Sequence, residues 1–445
     1  MVIKDAATNW RQQVGEKLMT PAEAMSIVKS GDTVWMGGLT TVPVTLCQAL
    51  ADRAGELKDV TIATCLTPFN WDRPELLEAF CIRTGYSGPL ERKASQEGRF
   101  DFIPVAGFRE GRMPAGWDFD YDVAAIPISP PDDAGYCSFG SAVFFGPTLV
   151  ATSKRLVGEI HEDYIRTGGQ NRVHISKFDR VSLFEGAAAA PPIAPRSEET
   201  VYAAEVICTL TAAELIPDRS TVQIGLGDVS AAMALYLTDK HDLGIHTELL
   251  PGGVVDLVDS GVVTGKYKEV HPGKVVASLA AQLPPEELAR INGNPAFEFY
   301  DFNHTDDMRV LLQFEQFVAI NNALFVDLTG NACSESWGPL PYTGTGGQAT
   351  FAYAGHVTSR HSIIVLPSSQ LVNNERQPRI MATLPEGSAI SSHRAYVDYV
   401  VTEQGIAKLS GKSIRERIAE LISVAHPDFR ADLRKAAAKV YNISV

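Results

Sequence analysis

Thr33-Val-Trp-Met-Gly-Gly-Leu39 and Thr221-Val-Gln-Ile-Gly-Leu-Gly227 share one pattern, an apolar run that enters a glycine turn. Such a run reads as a buried strand, and the glycines mark where the chain leaves the sheet. Downstream of the first copy, Leu46, Leu50 and Leu57 mark an amphipathic stretch; downstream of the second, Met233, Leu235 and Leu237 follow. Upstream, Thr20 to Asp32 and Thr209 to Ser220 each read as a helix-like run ending in a turn. A second short strand comes next in both cases, Val60-Thr-Ile-Ala-Thr64 and Leu243-Gly-Ile-His-Thr247. Strand, turn, helix, strand is a βαβ unit, whose crossover makes its two strands parallel. Two such copies predict an α/β protein of two similar domains with parallel-rich sheets.

At about 150 residues per domain, a chain of 445 residues holds two or three domains. Glu185 to Thr200 is rich in Ala and Pro and has neither helical nor strand periodicity, so it reads as a linker. The expected division is an N-terminal domain over 1–186, a linker over 187–200 and a C-terminal domain over 201–445. Further strand-like runs lie at Phe317 to Asp327, Ser362 to Leu366 and Tyr396 to Thr402. The last helices are expected at Ser413 to Ala425 and Ala431 to Val440.

Composition narrows the function. A formal net charge of −14 disfavours a general nucleic-acid binder, which needs a basic face. No apolar run is long enough to span a membrane, and the opening MVIKDAATNWRQQ lacks the apolar core of a secretory signal. A soluble, cytoplasmic protein is expected. The cysteines at 47, 65, 81, 137, 208 and 333 form no CxxC and no Cys/His cluster. That spacing argues against a zinc site or a disulfide framework and fits reduced thiols. His241 and His246 are not at ligand spacing, so no metal is expected.

The two halves differ after their second strand. The first has Cys65 where the second has Glu248, within Gly-Ile-His-Thr-Glu-Leu-Leu-Pro-Gly-Gly over 244–253. A carboxylate at the C-terminal end of a strand, just before a glycine turn, sits where α/β sheets place their chemistry. It reads as a nucleophile or base, and on this fragment alone more readily as a solvated loop glutamate. Two glycine-rich turns strengthen the functional reading. In Gly225-Leu226-Gly227-Asp228-Val229, between a strand and a helix, backbone N–H groups can cradle a phosphate or a carbonyl oxygen. In Gly344-Thr-Gly-Gly-Gln348, the adjacent Gly346 and Gly347 allow close backbone approach and suit an oxyanion hole. A plain tight turn is the alternative for each.

Several motifs in order resemble one family. They are His246-Thr-Glu-Leu-Leu-Pro-Gly-Gly-Val-Val-Asp-Leu-Val258 with the Gly225 turn before it, His271-Pro-Gly-Lys274, Tyr300-Asp-Phe302, GTGGQATF over 344–351 and DYVVTEQGIAKL over 398–409. Ile128-Ser-Pro-Pro-Asp-Asp-Ala-Gly135 and His426-Pro-Asp-Phe-Arg430 extend the likeness over nearly the whole chain. Together they look like the family I CoA-transferases, in the acetyl-CoA hydrolase/transferase branch that contains 4-hydroxybutyrate and butyrate CoA-transferases.

The resemblance implies two similar open α/β domains with the active site between them. Its nucleophilic glutamate falls on Glu248, its CoA-binding turn on Gly225 to Val229 and its glycine pair on Gly346 and Gly347. A further CoA contact falls near Ser368 or Ser369. Coenzyme A is then substrate and covalent intermediate, with no tightly bound cofactor. The implied partners are acyl-CoA and short carboxylic acids, in a homodimer or higher homo-oligomer. Acetyl-, butyryl- or succinyl-CoA would donate to acetate, butyrate, 4-hydroxybutyrate or a small dicarboxylate such as itaconate. Donors from Gly227, Gly346 or Gly347 would stabilise each oxyanion. Gln348 would orient Glu248 or the carbonyl, or else cap its own backbone. Lys274 reads as a CoA-phosphate or carboxylate contact, or as a surface lysine. Tyr300 and His304 read as pocket residues, or as a core aromatic and a solvated histidine. Glu335 is the rival nucleophile on spacing alone.

The sequence also departs from the family pattern. Pro251-Gly252 stands where Ser-Asp is expected, and Asp228-Val229-Ser230 where a small-apolar-Pro run is expected. These changes bear on acyl specificity. A thioester hydrolase on the same fold is the alternative activity, and a non-catalytic CoA- or nucleotide-binding module is a third reading.

Overall fold

The computed structural model describes residues 9–105, 121–186, 197–227, 229–280, 283–358 and 360–445. The chain forms two compact units, Met1–Pro192 with Val276–Asp307 and Pro341–Gly344, and Ile193–Val275 with Met308–Leu340 and Thr345–Val445.

The first unit carries β1 (Thr33–Gly38), α1 (Val44–Ala51), β2 (Val60–Cys65), β3 (Phe80–Thr84), β4 (Asp101–Phe102), β5 (Val123–Ile128), β6 (Leu156–Ile160) and β7 (Arg180–Leu183). Their order across the sheet is β7-β6-β5-β1-β2-β3-β4, with every pair parallel. A parallel sheet buried on both faces needs apolar residues at consecutive positions, and all six residues of β5 are buried. Leu46 and Leu50 of α1 lie fully inside the same core as Val34 and Met36 of β1.

The second unit opens with α2 (Glu198–Leu215). Ser197 accepts the Thr200 N–H, and Glu198 and Glu199 occupy the positively polarised first turn. This helix therefore includes residues 198–200 of the stretch read as linker, and continues through the run expected to begin at Thr209. Residues 187–196 of that stretch lie outside the described residues. Then come β8 (Thr221–Ile224), a 3₁₀ segment over Ser230–Tyr236, β9 (Gly244–His246), α3 (Val254–Asp259) and β10 (Phe317–Asn322). They are followed by α4 (Gln348–Val357), β11 (His361–Val365), β12 (Tyr399–Thr402), β13 (Gly405–Lys408), α5 (Ile414–Ser423) and α6 (Pro427–Tyr441). Within this unit the order is β13-β12-β11-β10-β8-β9, parallel except for the β12–β13 hairpin.

The expected repeat is real in the sheets. β7-β6-β5-β1-β2 in one unit has the same chain order as β12-β11-β10-β8-β9 in the other. The registers agree as well, since Thr33 pairs with Thr61 and Thr221 with Gly244. Two details differ from the sequence reading. The run Phe317 to Asp327 is two strands, because the chain leaves β10 at Asn322 and Phe325–Asp327 pairs in a separate small sheet. The stretch through Met233 and Leu235 winds as 3₁₀ rather than α.

Candidate functional site

Neighbouring strands of the second unit end on one edge, and β8 and β10 sit where the strand order reverses direction. In open α/β sheets the carboxyl edge at such a switch point is where ligands bind. β9 leads into Glu248, β8 into Gly225, β10 ends on Asn322, and β11 leads into Ser368 and Ser369.

β9 stops at His246, a buried ring packed edge-on against Phe314 with centroids 5.0 Å apart. Thr247 then takes over from the backbone ladder. Its Oγ1 accepts the Ile224 N–H at 3.3 Å, and its hydroxyl is shared between Ile224 O at 3.0 Å and Leu249 O at 3.1 Å. The end of β9 is thereby stapled to the end of β8. Lys268, buried, donates through Nζ to Ile245 O at 2.8 Å and to Lys274 O at 2.7 Å, holding β9 from its other side. Glu248 emerges from this double anchorage partly buried.

The Gly225–Val229 turn follows β8. Gly225 N–H still donates to Ile320 O at 2.8 Å, continuing the β8–β10 ladder. Beyond it the carbonyls turn inward. Gly225 O accepts Ser230 Oγ at 2.6 Å, and Leu226 O accepts Asn322 Nδ2 at 3.0 Å. Val229 O accepts the Cys208 thiol of α2 at 3.2 Å. Burial pushes that thiol up to about 12, so it stays a donor at neutral pH. A Cβ on Gly227 would overlap the Asn322 amide, so the turn requires glycine there. Asp228 lies outside the described residues.

Gly346 is left-handed at φ +58°, and Gly347 is the N-cap of α4. α4 runs back along β10, since Gly355 faces Ala319 and Thr358 Oγ1 reaches Phe317 O at 3.4 Å. Its N-terminus, with free amides and a positive dipole end, therefore lies toward the carboxyl edge of the strands. Gln348 opens this helix rather than sitting in a loop, and its Nε2 donates to Ser392 Oγ at 3.1 Å. The neighbouring Ser391 donates to Glu335 Oε2 at 3.0 Å and accepts the Ser334 N–H at 2.9 Å. Adjacent serines thus tie Gln348 and Glu335 to one loop.

Ser369 stands at the start of a hairpin past β11, its Oγ accepting from Arg376 Nη1 at 2.8 Å. Three strand spacings separate β9 from β11, about 14 Å across the sheet. Tyr300 and His304 belong to the first unit, where their rings stack at 4.4 Å and Tyr300 donates to Glu298 Oε2 at 2.9 Å. Sequence reasoning passed over Asn321, Asn322 and the Ser391–Ser392 pair, and gave Ser230 and Cys208 no part in holding the turn. The one visible signal was two adjacent amides closing an apolar strand, Phe317 to Asn322. Among the described residues no group of three or more His, Cys, Asp or Glu could hold a metal ion. No described helix is long and apolar enough to cross a membrane.

Comparison with known proteins agrees with this architecture. Residues 3–186 match the acetyl-CoA hydrolase/transferase N-terminal domain and residues 286–437 the corresponding C-terminal domain. The chain is 33% identical to the succinyl-CoA:cyclohexane-1-carboxylate CoA transferase of Geobacter metallireducens, covering 99% of both chains. It is 31% identical to the 4-hydroxybutyrate coenzyme A transferase of Clostridium kluyveri, over 95% of this chain and 98% of that one. The crystal structure of RipA from Yersinia pestis superposes with a TM-score of 0.87 at 29% identity, covering 98% of this chain and all of the other. Repeat, strand order and these relatives agree: the chain belongs to the acetyl-CoA hydrolase/transferase family and is an enzyme of the CoA-transferase class.

Proposed function

We propose that the enzyme moves CoA from a short acyl-CoA to a short carboxylate by a ping-pong course through Glu248. The observation that carries the reading is the anchorage of Glu248 at the end of β9, beside the Gly225 turn at the end of β8. A carboxylate is a weak nucleophile, so its position and ionisation must be provided by the fold.

The Glu248 carboxylate attacks the acyl-CoA carbonyl, giving an acyl-glutamyl anhydride and CoA thiolate. The thiolate attacks the glutamyl carbonyl, releasing the donor's carboxylate and leaving a Glu248–CoA thioester. The acceptor carboxylate attacks that thioester, re-forming an anhydride and the thiolate. Attack of the thiolate on the acyl carbonyl then yields the new acyl-CoA and regenerates Glu248. One thioester replaces another, so no external energy source is needed. Each addition creates an oxyanion, for which Gly227, Gly346 and Gly347 supply backbone donors, each worth about 3–4 kcal/mol. Gly225 to Val229 and Ser369 form the CoA-binding side, and Gln348 orients the reacting groups.

The donors are acetyl-, butyryl- or succinyl-CoA, and the acceptors 4-hydroxybutyrate, butyrate, acetate or an itaconate-like dicarboxylate. Support comes from the relatives, one named for succinyl-CoA and cyclohexane-1-carboxylate and another for 4-hydroxybutyrate. A third, from Anaerostipes caccae, is named for butyryl-CoA and acetate. Acids differing by one methylene are separated by only about 1–3 kcal/mol, so several should exchange. The working form is a cytoplasmic homodimer or higher oligomer.

Mass-resolved thioester exchange tests this. A panel of acyl-CoAs is incubated with and without short carboxylic acids, using wild type and Glu248→Ala. New acyl-CoAs should appear only with added acids and vanish in the variant. Free CoA accumulating without an acceptor would make the enzyme a hydrolase. Equal exchange by Glu248→Ala would move the nucleophile to Glu335.

A further inference from the structure

We propose that Asn322 is a positioning residue that sets the orientation of the two peptide groups joining Gly225, Leu226 and Gly227, so that the Leu226 and Gly227 N–H groups face the reacting thioester. This rests on the function proposed above and adds a residue to its machinery.

The inference follows from peptide planarity. In a trans peptide the C=O and the following N–H point in opposite directions. Gly225 O is drawn to Ser230 Oγ, so the Leu226 N–H points away from Ser230. Leu226 O is drawn to Asn322 Nδ2, so the Gly227 N–H points away from Asn322. The same Asn322 amide also donates to Ser230 Oγ, so one side chain governs both peptides. A peptide flip in this turn would aim a carbonyl where an N–H is needed, exchanging an oxyanion donor for a repulsive acceptor.

Asn322 is itself fixed. It ends β10, and its own carbonyl accepts Ser334 Oγ at 2.9 Å. Its amide occupies the space that a Cβ on Gly227 would need, so residue 227 and residue 322 are matched in shape. Cys208 holds Val229 O at the far end, leaving the near end to Asn322 and Ser230. Asparagine is suited to this because its Nδ2 offers two donors in one plane, which match Leu226 O and Ser230 Oγ.

The test is single-turnover formation of the CoA adduct on the full-length chain, followed by intact mass after mixing with excess acyl-CoA. Asn322→Asp keeps the shape and removes both donors; Asn322→Ala removes the side chain. In each, the rate constant for adduct formation should fall about 100- to 1,000-fold, the range for loss of a preorganised oxyanion donor. The final adduct per chain should stay at the wild-type level. A merely structural role would lower that amplitude and leave the rate constant of the surviving fraction unchanged. Rate constants within 3-fold of wild type in both variants, or a loss confined to amplitude, would overturn the proposal. Glu248→Gln serves as the independent control. Adduct persisting in Glu248→Gln would refute the nucleophile, whereas its absence together with fast Asn322 variants would refute only the role given to Asn322.

Discussion

Cys65 and Glu248 are structural counterparts. Each lies four residues beyond the partner of the threonine that opens the neighbouring strand, Thr61 opposite Thr33 and Gly244 opposite Thr221. The first sheet uses the position for packing. Cys65 is buried against Gly38, where a Cβ would overlap its sulfur. The second sheet uses it for a partly buried carboxylate at the edge of the glycine turn. One repeat thus spends the position on packing, and the other places there the carboxylate proposed as the nucleophile.

The length of the Glu248 side chain should matter as much as its charge. Glu248→Asp preserves the carboxylate and withdraws it by one methylene. A misplacement of about 1 Å costs on the order of 100-fold where covalent attack depends on alignment. Steady-state exchange should show kcat at least about 100-fold lower, with an unchanged melting temperature. A kcat within 10-fold of wild type would mean that the carboxylate acts at a distance rather than by attack.

Thr247→Val tests the staple between β8 and β9. Valine matches threonine in shape but strips Ile224 N–H of its acceptor at 3.3 Å and both carbonyls of their donor. Leaving a buried amide unsatisfied costs about 1–3 kcal/mol. Denaturant titration should show that loss, and kcat should drop about 10- to 100-fold as Glu248 loses its fixed base. Thr247→Ser, which keeps the hydroxyl, should recover most of both. Equal loss in the serine variant would assign the effect to the methyl group.

Stability should fall as pH rises through the neutral range, and Glu91 should be one cause. Burial pushes its carboxyl up to about 7, against hydrogen bonds from Gly88, Thr84 and Thr67. The folded chain therefore holds this proton more tightly than the unfolded chain does. The stabilisation is complete below the ordinary value of 4.5 and is lost as pH climbs through about 7. Glu91→Gln should flatten the decline between pH 5 and pH 8 by about 1–3 kcal/mol in denaturant titrations. Parallel pH slopes for variant and wild type would show that Glu91 ionises alike in both states.

The sheets were legible because parallel strands, buried on both faces, announce themselves as apolar runs ending in glycine. Thr33–Gly38 and Thr221–Ile224 are of this kind, and the parallel repeat followed from them. The place of Glu248 just past the end of the second strand was legible, and motif likeness is what singles it out as a candidate. The groups that hold the site were not. Asn322, Ser230 and Cys208 converge on one turn from 96, 5 and 21 residues away along the chain, as their bonds to its carbonyls record. Such side chains have no local periodicity, because their meaning arises only when β8 and β10 pair. α2 was half-missed for a different reason, since the Ala-Pro run before Ser197 masked a clear N-cap signal.

Gly355 links packing to the site through α4. It lies where the helix crosses β10 and β11, and an added Cβ would sit 2.7 Å from His361 O and 3.0 Å from Ala319 Cβ. Alanine in mid-helix normally gains about 1 kcal/mol over glycine. Here the obstacle is a strand carbonyl held in the sheet, which cannot rotate aside as a side chain would. Overpacking of this kind costs about 1–3 kcal/mol, so the intrinsic gain is cancelled or reversed. Gly355→Ala should therefore lower the melting temperature instead of raising it. The helix can relieve the contact only by moving away from the sheet, and its first turn carries Gly347 as N-cap. Exchange activity should then fall with stability, and more steeply for kcat than for KM, because a displaced donor is felt most in the transition state. A stabilised Gly355→Ala enzyme with full activity would show that α4 has room to spare, and that its seat on β10 does not set the position of the glycine pair.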